Sequence, residues 1–397
     1  MAVVPLAQYQ GARGDWCVSV GDWVAEEQVI AQPSGPTDLP LHAPIPGRIV
    51  GFRETLLPGG YTSESALIQM EGPFSRTGKP DSIQNWTERE IDALRARLDQ
   101  AGLFVESGPL DDRVHLPSME SGLDALVLNG LQPEPYLTLS GYLQDKDPSG
   151  LIEGIRILQK IYRPLQTIWA TDWDLGPPDL SSLEVSSEKV EVVSFPFRYP
   201  QAQRGLLLQS LGLKTVSGRP ARALVLDASS ILAIRDAVVF GRPQVEKTII
   251  VSGNGIQNPG PYRVRVGTPL AHLIKEAGGL KPGVSKVLHG GPFRGSLVED
   301  LASPILKSTQ GIVVLTESEV NTGTERPCIR CGQCSTDCPV GLEPVNLYYS
   351  LLQNRRDQAS DEGLNLCLEC GICSFVCPSR IPLAAIFKQS KEAESAS

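Results

Sequence analysis

Histidine is scarce in this chain. There are four in 397 residues, at 42, 115, 272 and 289, and none lies near the cysteine-rich stretch toward the C-terminal end. That distribution argues against a structural zinc centre of mixed cysteine and histidine. No run approaches the roughly 18 apolar residues that a helical membrane span needs, so no span is expected. The net charge is −9 with no offsetting basic block, which argues against nucleic acid as a partner. The opening MAVVPLAQYQGARGDW has no basic segment followed by an apolar one, so a signal peptide is not expected. A disulfide framework belongs to secreted chains and is not expected either. What is present is an ordinary soluble composition, 41% hydrophobic and 20% charged, in a chain long enough for two to four domains.

Of the nine cysteines, eight lie between Pro327 and Pro382. They form the pattern C-x2-C-x2-C-x3-C-P twice, at Cys328, Cys331, Cys334 and Cys338 and again at Cys367, Cys370, Cys373 and Cys377. This is the spacing by which bacterial ferredoxins hold [4Fe–4S] clusters. Closely spaced thiolates on a tight loop point at one cube while the intervening N–H groups turn toward sulfur. Gly332 and Gly371, each just after a second cysteine, suit a sharply bent backbone that approaches the cluster closely. In two-cluster ferredoxins the fourth cysteine of each run serves the other cluster. The expected ligand sets are therefore Cys328, Cys331, Cys334 and Cys377 for one, and Cys367, Cys370, Cys373 and Cys338 for the other. A zinc site needs neither four cysteines in one short run nor the following proline.

Ahead of this stretch the chain changes rhythm several times, as a multidomain α/β protein does. Residues 1–72 read as short β segments broken by Gly, Pro and Asp turns. GDWVAEEQVI and HAPIPGRIV resemble the half-motifs of a barrel-sandwich hybrid, the fold of lipoyl and biotinyl carriers. The first lysine is Lys79, however, so no carrier lysine is expected at a hairpin tip. Cys17 reads as a small buried hydrophobe, and His42 as a turn or packing residue. Residues 73–246 alternate helix and strand. Thr87 and Glu90 have capping-box spacing ahead of Ile91, Leu94 and Leu98. LDALVLNG reads as a buried strand, SGLIEGIRILQKIY as an amphipathic helix, and QTIWATDW, KVEVVSFP and ARALVLD as further strands. That alternation implies a largely parallel sheet. Residues 247–318 resemble a β-grasp module of the soluble-ligand-binding (SLBB) type. Their glycines at 290, 291 and 295 read as a tight turn between strands rather than a phosphate loop. His272 and His289 have no partners at metal-ligand spacing. Residues 319–397 open on a linker, NTGTERP, and continue as a helical two-cluster ferredoxin domain.

Taken together, VPLAQYQGA, HAPIPGRI, NGLQPEPYLTL, IEGIRIL, YPQAQRGLL, VGTPLAHLIKEAGG, HGGPFRG and the two cysteine runs resemble the RnfC family, one of the subunits of the Rnf electron transport complex. The resemblance implies an α/β core akin to the flavoprotein subunit of respiratory complex I, which uses FMN and NADH. It also implies a place on the cytoplasmic face of a membrane complex, held through partner subunits. At the flavin the chain departs from the family. The family's glycine-rich phosphate loop is AGLFVESGPLDDRVHLPS here, in which Gly102 and Gly108 survive and Glu106, Asp111 and Asp112 bring acidic groups. The family's NGAECEPY is NGLQPEPY, keeping Asn129, Glu134 and Tyr136 but placing Gln132 at an acidic position. Asp227 stands where the family has Asn. Negative charge repels a phosphate, so FMN and nucleotide binding are expected to be weakened or lost.

The leading expectation is an iron–sulfur electron-transfer subunit that relays single electrons through two [4Fe–4S] clusters, without independent NADH chemistry. Its partners would be other subunits of the complex and a redox protein such as a ferredoxin or a flavoprotein. Two alternatives stay open: a subunit that still binds FMN and oxidises NADH or reduces NAD, and a structural adaptor whose clusters stabilise more than they conduct.

Overall fold

The computed structural model describes the whole chain except residues 36–37, 80–81, 107–115, 117–121, 174–189, 214, 217–218, 321–322 and 396–397. It divides into two compact units. The larger comprises Met1–Gly290 with Ser296–Thr316, and the smaller Gly291–Gly295 with Glu317–Ser397.

The larger unit begins with seven strands: β1 (Ala2–Pro5), β2 (Gly14–Trp16), β3 (Trp23–Val24), β4 (Val29–Pro33), β5 (Leu41–His42), β6 (Gly47–Leu57) and β7 (Tyr61–Met70). They form two antiparallel sheets, in the orders β1-β7-β6-β3 and β2-β4-β5. Alternation along β6 and β7 turns Ile49, Ala66 and Ile68 inward. There Ile49 and Ile68 share a core with Val4, Val24, Ile30, Leu41 and Ala43. Two small sheets closing on one core give the barrel-sandwich expected from the sequence. Cys17 is a correction. It follows β2 and is exposed, because its chain neighbours Trp16 and Val18 turn toward the core and alternation points the residue between them outward.

The middle of the chain supplies α1 (Ile91–Gln100), β8 (Ala125–Asn129), α2 (Leu139–Lys146), α3 (Pro148–Tyr162), β9 (Gln166–Asp172), β10 (Val190–Phe195), α4 (Arg204–Ser210), a short ribbon of β11 (Thr215–Val216) and β12 (Arg219–Pro220), β13 (Ala223–Asp227) and α5 (Ala228–Arg235). The four longer strands form one parallel sheet in the order β10-β9-β8-β13. β8 and β13, ALVLN and ALVLD, are buried at every position. That is the signature of a parallel strand covered on both faces. The expected capping box at Thr87 does not form. α1 starts at Ile91 with Glu90 as its cap residue and no side-chain cap bond, while the Thr87 hydroxyl donates to Asn85 Oδ1 at 2.7 Å. A turn closed by Arg89 N–H on the Trp86 carbonyl takes up the residues the box would need. α3 is capped instead by Asp147, which accepts from Gly150 N–H, with Pro148 in the first turn.

The closeness of α3 and α5 depends on Gly154. A Cβ there would stand 2.6 Å from both Cγ2 and the carbonyl oxygen of Ile231. We expect Gly154→Val to destabilise the larger unit by about 1–3 kcal/mol through overpacking, seen as a lowered Tm. An unchanged Tm would show that the helices can part at no cost.

The larger unit ends with β14 (Glu246–Ser252), β15 (Gly260–Arg265), α6 (Leu270–Glu276), β16 (Val284–His289), β17 (Ser296–Leu297) and β18 (Gly311–Thr316). These strands form one mixed sheet in the order β15-β14-β18-β16-β17, with β14 and β18 parallel. α6 packs Leu270, Leu273 and Ile274 against Ile249, Val251, Ile312 and Val314. β16 and β17 pair antiparallel, so the glycines after His289 lie between two strands, as the sequence implied.

The smaller unit is helical: α7 (Gln333–Thr336), α8 (Pro344–Leu352), α9 (Arg356–Asp361), α10 (Ile372–Phe375) and α11 (Leu383–Ser395). Its apolar centre is small, with Leu342, Leu347, Ala359, Leu364, Ile381, Leu383 and Phe387, and most of the cysteines pack around it. Among the described residues no helix is long and apolar enough to cross a membrane.

Candidate functional site

The two cysteine runs fold as a repeat. Each C-x2-C loop has its residue before the second cysteine in the left-handed region, Arg330 at φ 54° and Glu369 at φ 55°, followed by a left-handed glycine, Gly332 at φ 76° and Gly371 at φ 80°. A one-turn helix, α7 or α10, then carries the third cysteine. After each fourth cysteine the chain turns through one more left-handed residue, Gly341 in the first run and Arg380 in the second. The tight backbone turns amides onto sulfur. Arg330 N–H donates to Cys328 Sγ at 3.4 Å, Glu369 N–H to Cys367 Sγ at 3.4 Å, and Leu342 N–H to Cys338 Sγ at 3.3 Å.

The runs also cross. Cys328, Cys331 and Cys334 share a recess with Cys377 from the second run, walled by Val345, Tyr348, Ile381 and Leu383. Cys367, Cys370 and Cys373 share another with Cys338 from the first, walled by Leu342, Leu368, Ala384 and Phe387. This donor set fits a thiolate-held cluster. Each recess offers four thiols among mainly apolar walls, with backbone donors aimed at sulfur. Burial pushes the Cys334, Cys367 and Cys370 thiols up, and raises Cys373 to about 12, with neighbouring Cys367 and Cys370 adding to that rise. Thiols gathered in such surroundings ionise when a cationic centre offsets their charge.

Supports outside the cysteine pattern were not legible in the sequence. Lys391 on α11 pairs with Glu369 at 2.6 Å and donates to the Cys367 carbonyl at 3.1 Å, pinning the second loop. On the first loop the Arg330 guanidinium lies 5.5 Å over the Tyr349 ring. Both contacts join positions far apart in sequence, and a lysine near the chain's end carries no signal of its own.

A second place to inspect is the C-terminal edge of the parallel sheet, where ligands of open α/β sheets bind. Asn129, Asp172 and Asp227 lie at or near the ends of three adjacent strands there and are buried. Asn129 donates to the Ala202 carbonyl at 2.8 Å, and Gln132 N–H donates to Asp172 at 2.7 Å. Asp227 accepts from Ser230 N–H at 2.8 Å as the cap of α5, a task aspartate and asparagine perform equally well. Gly102 takes φ 60°, and its carbonyl accepts from buried Lys307 at 2.6 Å. Gly108, Asp111 and Asp112 lie outside the described residues.

Glu106 differs from its sequence reading as a negative charge. It is buried, accepts from the Gln310 amide, and has its carboxyl pushed up to about 8, chiefly by burial and further by Asp227, against the opposing pull of Lys247. It is therefore largely neutral at pH 7. Lys247, whose own pKa burial lowers, donates to the Lys307 carbonyl. Neither Lys247 nor Gln310 was visible as a partner of this loop, since both arrive from the β-grasp module. Because the folded state holds the Glu106 proton more tightly than the unfolded chain, stability falls as pH rises from about 4.5 to about 8. We expect Glu106→Gln to flatten that slope in denaturant titrations across the window. A variant with the wild-type slope would remove Glu106 as its source.

Comparison with known proteins follows this layout. The description RnfC barrel sandwich hybrid domain matches residues 1–73, SLBB domain residues 248–295, and 4Fe-4S dicluster domain residues 325–381. The C subunit of the proton-translocating ferredoxin:NAD(+) oxidoreductase complex of Clostridium ljungdahlii is 30% identical over 87% of this chain and 77% of that one. The chain belongs to the RnfC family. Another member, the C subunit of the ion-translocating oxidoreductase complex of Pectobacterium atrosepticum, is 32% identical over 98% of this chain. The present RnfC-family chain spans only 57% of that relative's length. An NAD+-reducing [NiFe]-hydrogenase structure aligns with 80% of the chain and 57% of its own at 15% identity and TM-score 0.49, a likeness too slight to carry an argument.

Proposed function

We propose that this chain is the iron–sulfur electron-transfer subunit of an Rnf-type oxidoreductase complex. The observation that carries the reading is the pair of crossed four-thiol recesses. Cys328, Cys331, Cys334 and Cys377 hold one [4Fe–4S] cluster, and Cys338, Cys367, Cys370 and Cys373 the other. When bound, such clusters take up and release single electrons without bond-making at the protein. The chain's own work is to exclude water with Tyr348, Leu342 and Phe387, and to aim the amides of residues 330, 342 and 369 at sulfur. Those amides stabilise negative charge as it arrives.

In this reading the α/β core has no flavin and serves as a scaffold. Supporting it are the buried carboxyls of Glu106 and Asp227 and the engagement of Gly102 by Lys307. The four-part division at 1–72, 73–246, 247–318 and 319–397 belongs to the same proposal. So does attachment to a membrane complex through partner subunits, with a ferredoxin or flavoprotein as redox partner. Anaerobic purification followed by iron, sulfide and flavin analysis tests it. About eight irons per chain and no flavin, even after incubation with FMN, is the expected result. Near-stoichiometric FMN would overturn the scaffold reading, and the absence of iron would overturn the whole.

A further inference from the structure

The two cluster loops are built alike but are not equally accessible. In the first, Cys331 is exposed and Ile329 stands 68% open to solvent. In the second, Cys370 is 8% exposed. Gly371 lies beneath Phe293, whose carbonyl oxygen would be 3.0 Å from a Cβ at that glycine and whose ring meets Phe375 edge-on at 5.2 Å. Electron transfer between proteins falls steeply with the distance between their centres, so the open loop is the one a partner's centre can approach.

The charge around that loop points to the kind of partner. Arg326 N–H donates to the Ser379 carbonyl at 2.9 Å, which sets Arg326 beside Arg380, and Arg330 sits within the loop itself. All three arginines are exposed, and among the described residues none pairs with a carboxylate. Arg330 leans on Tyr349 instead. Glu325 is the carboxylate adjoining Arg326 in the chain. A local cluster of three cations around an exposed isoleucine, on a chain of net charge −9, is a departure from the protein's general field. An apolar centre with a charged rim is the anatomy of a docking face, and rim charges of one sign select a partner of the other.

We propose that the Cys328–Cys331 loop, with Arg326, Arg330 and Arg380 around Ile329, is the docking face for a redox protein with an acidic surface. The cluster held by Cys328, Cys331, Cys334 and Cys377 is then the outer centre and its neighbour the inner one. This rests on the electron-transfer reading above.

The test uses the full chain, purified anaerobically, with a small acidic bacterial ferredoxin in its oxidised form as probe. Its Kd is measured at about 20 mM and about 200 mM salt, a range over which exposed charges become screened. The wild type is expected to bind more weakly at the higher salt. Arg326→Glu is expected to weaken binding about fivefold at low salt, with the difference closing at high salt. Arg380→Gly is expected to weaken binding in the same sense. It replaces a left-handed arginine by the residue that position favours, so its loss of affinity cannot be laid to misfolding. Arg355→Glu, the same charge change on exposed backbone just before α9, is expected to bind as the wild type does. Wild-type affinity in Arg326→Glu, equal weakening in Arg355→Glu, or no salt dependence would each overturn the proposal. Iron content keeps the two readings apart. Iron present with an indifferent arginine rim defeats the docking face alone, whereas iron absent defeats the relay beneath it.

Discussion

Cys377→Ser is expected to lower bound iron from about eight to about four per chain, and to leave the same residual EPR signal as Cys328→Ser. Cys338→Ser should leave the complementary signal, the one shared with Cys367→Ser. The reason lies in the crossing of the runs, which puts Cys377 in the recess of the first three cysteines and Cys338 in that of the second three. Serine is a poor substitute because its hydroxyl does not ionise at neutral pH and lacks the softness of a thiolate. Should Cys377→Ser instead match Cys367→Ser, each run would serve its own cluster and the crossed assignment would fall. Measuring iron and EPR together separates loss of one cluster from general collapse, which would remove both signals at once.

Removing the iron with a chelator is expected to unfold the smaller unit while the larger one keeps its melting transition. The apolar centre around Leu347, Leu364 and Phe387 is small, and the thiols make up much of its surroundings. A domain with so little core depends on cross-links of some kind. Without a cation the raised thiols of Cys373 and its neighbours remain neutral within that core, with no charge to bind them together. Metal affinity is then folding free energy, since the unfolded chain presents no preformed site. The larger unit has separate cores in its α/β sheet and its β-grasp sheet and no thiol besides Cys17. Calorimetry with and without chelator should therefore lose one transition of two. A smaller unit that melts cooperatively at an unchanged temperature would show that its helices hold without the clusters, and would also weaken the adaptor alternative, in which clusters matter chiefly as staples.

How much of this was legible in the sequence follows from how local the cause is. The cysteine runs were, because a C-x2-C-x2-C-x3-C spacing constrains a few consecutive residues and needs no distant partner to be recognised. ALVLN was legible as a buried strand, and ALVLD as a strand, for the same reason: apolar-rich positions in a row carry their signal with them. Thr87 shows the limit of local rules. Its capping spacing was present, but Asn85 and a turn at Trp86 competed for the same groups and won. Cys17 shows another limit, since strand alternation says that faces differ but not which face is covered.

Tertiary structure alone decided the electrostatics. Glu106 reads as one more acid in an acidic loop. Only packing against residues more than a hundred positions away, Gln310 among them, buries it, and that burial pushes its carboxyl up against the opposing pull of Lys247 and Gln310. Likewise Cys331 and Cys370 occupy the same place in two matching motifs, yet one is exposed and the other covered. The motif specifies what each thiol can bind, because that depends on bonds within a few residues. Which of the two loops a partner can reach depends on Phe293 and the helices packed around it, and solvent access is a property of the assembled surface that no single stretch of chain encodes.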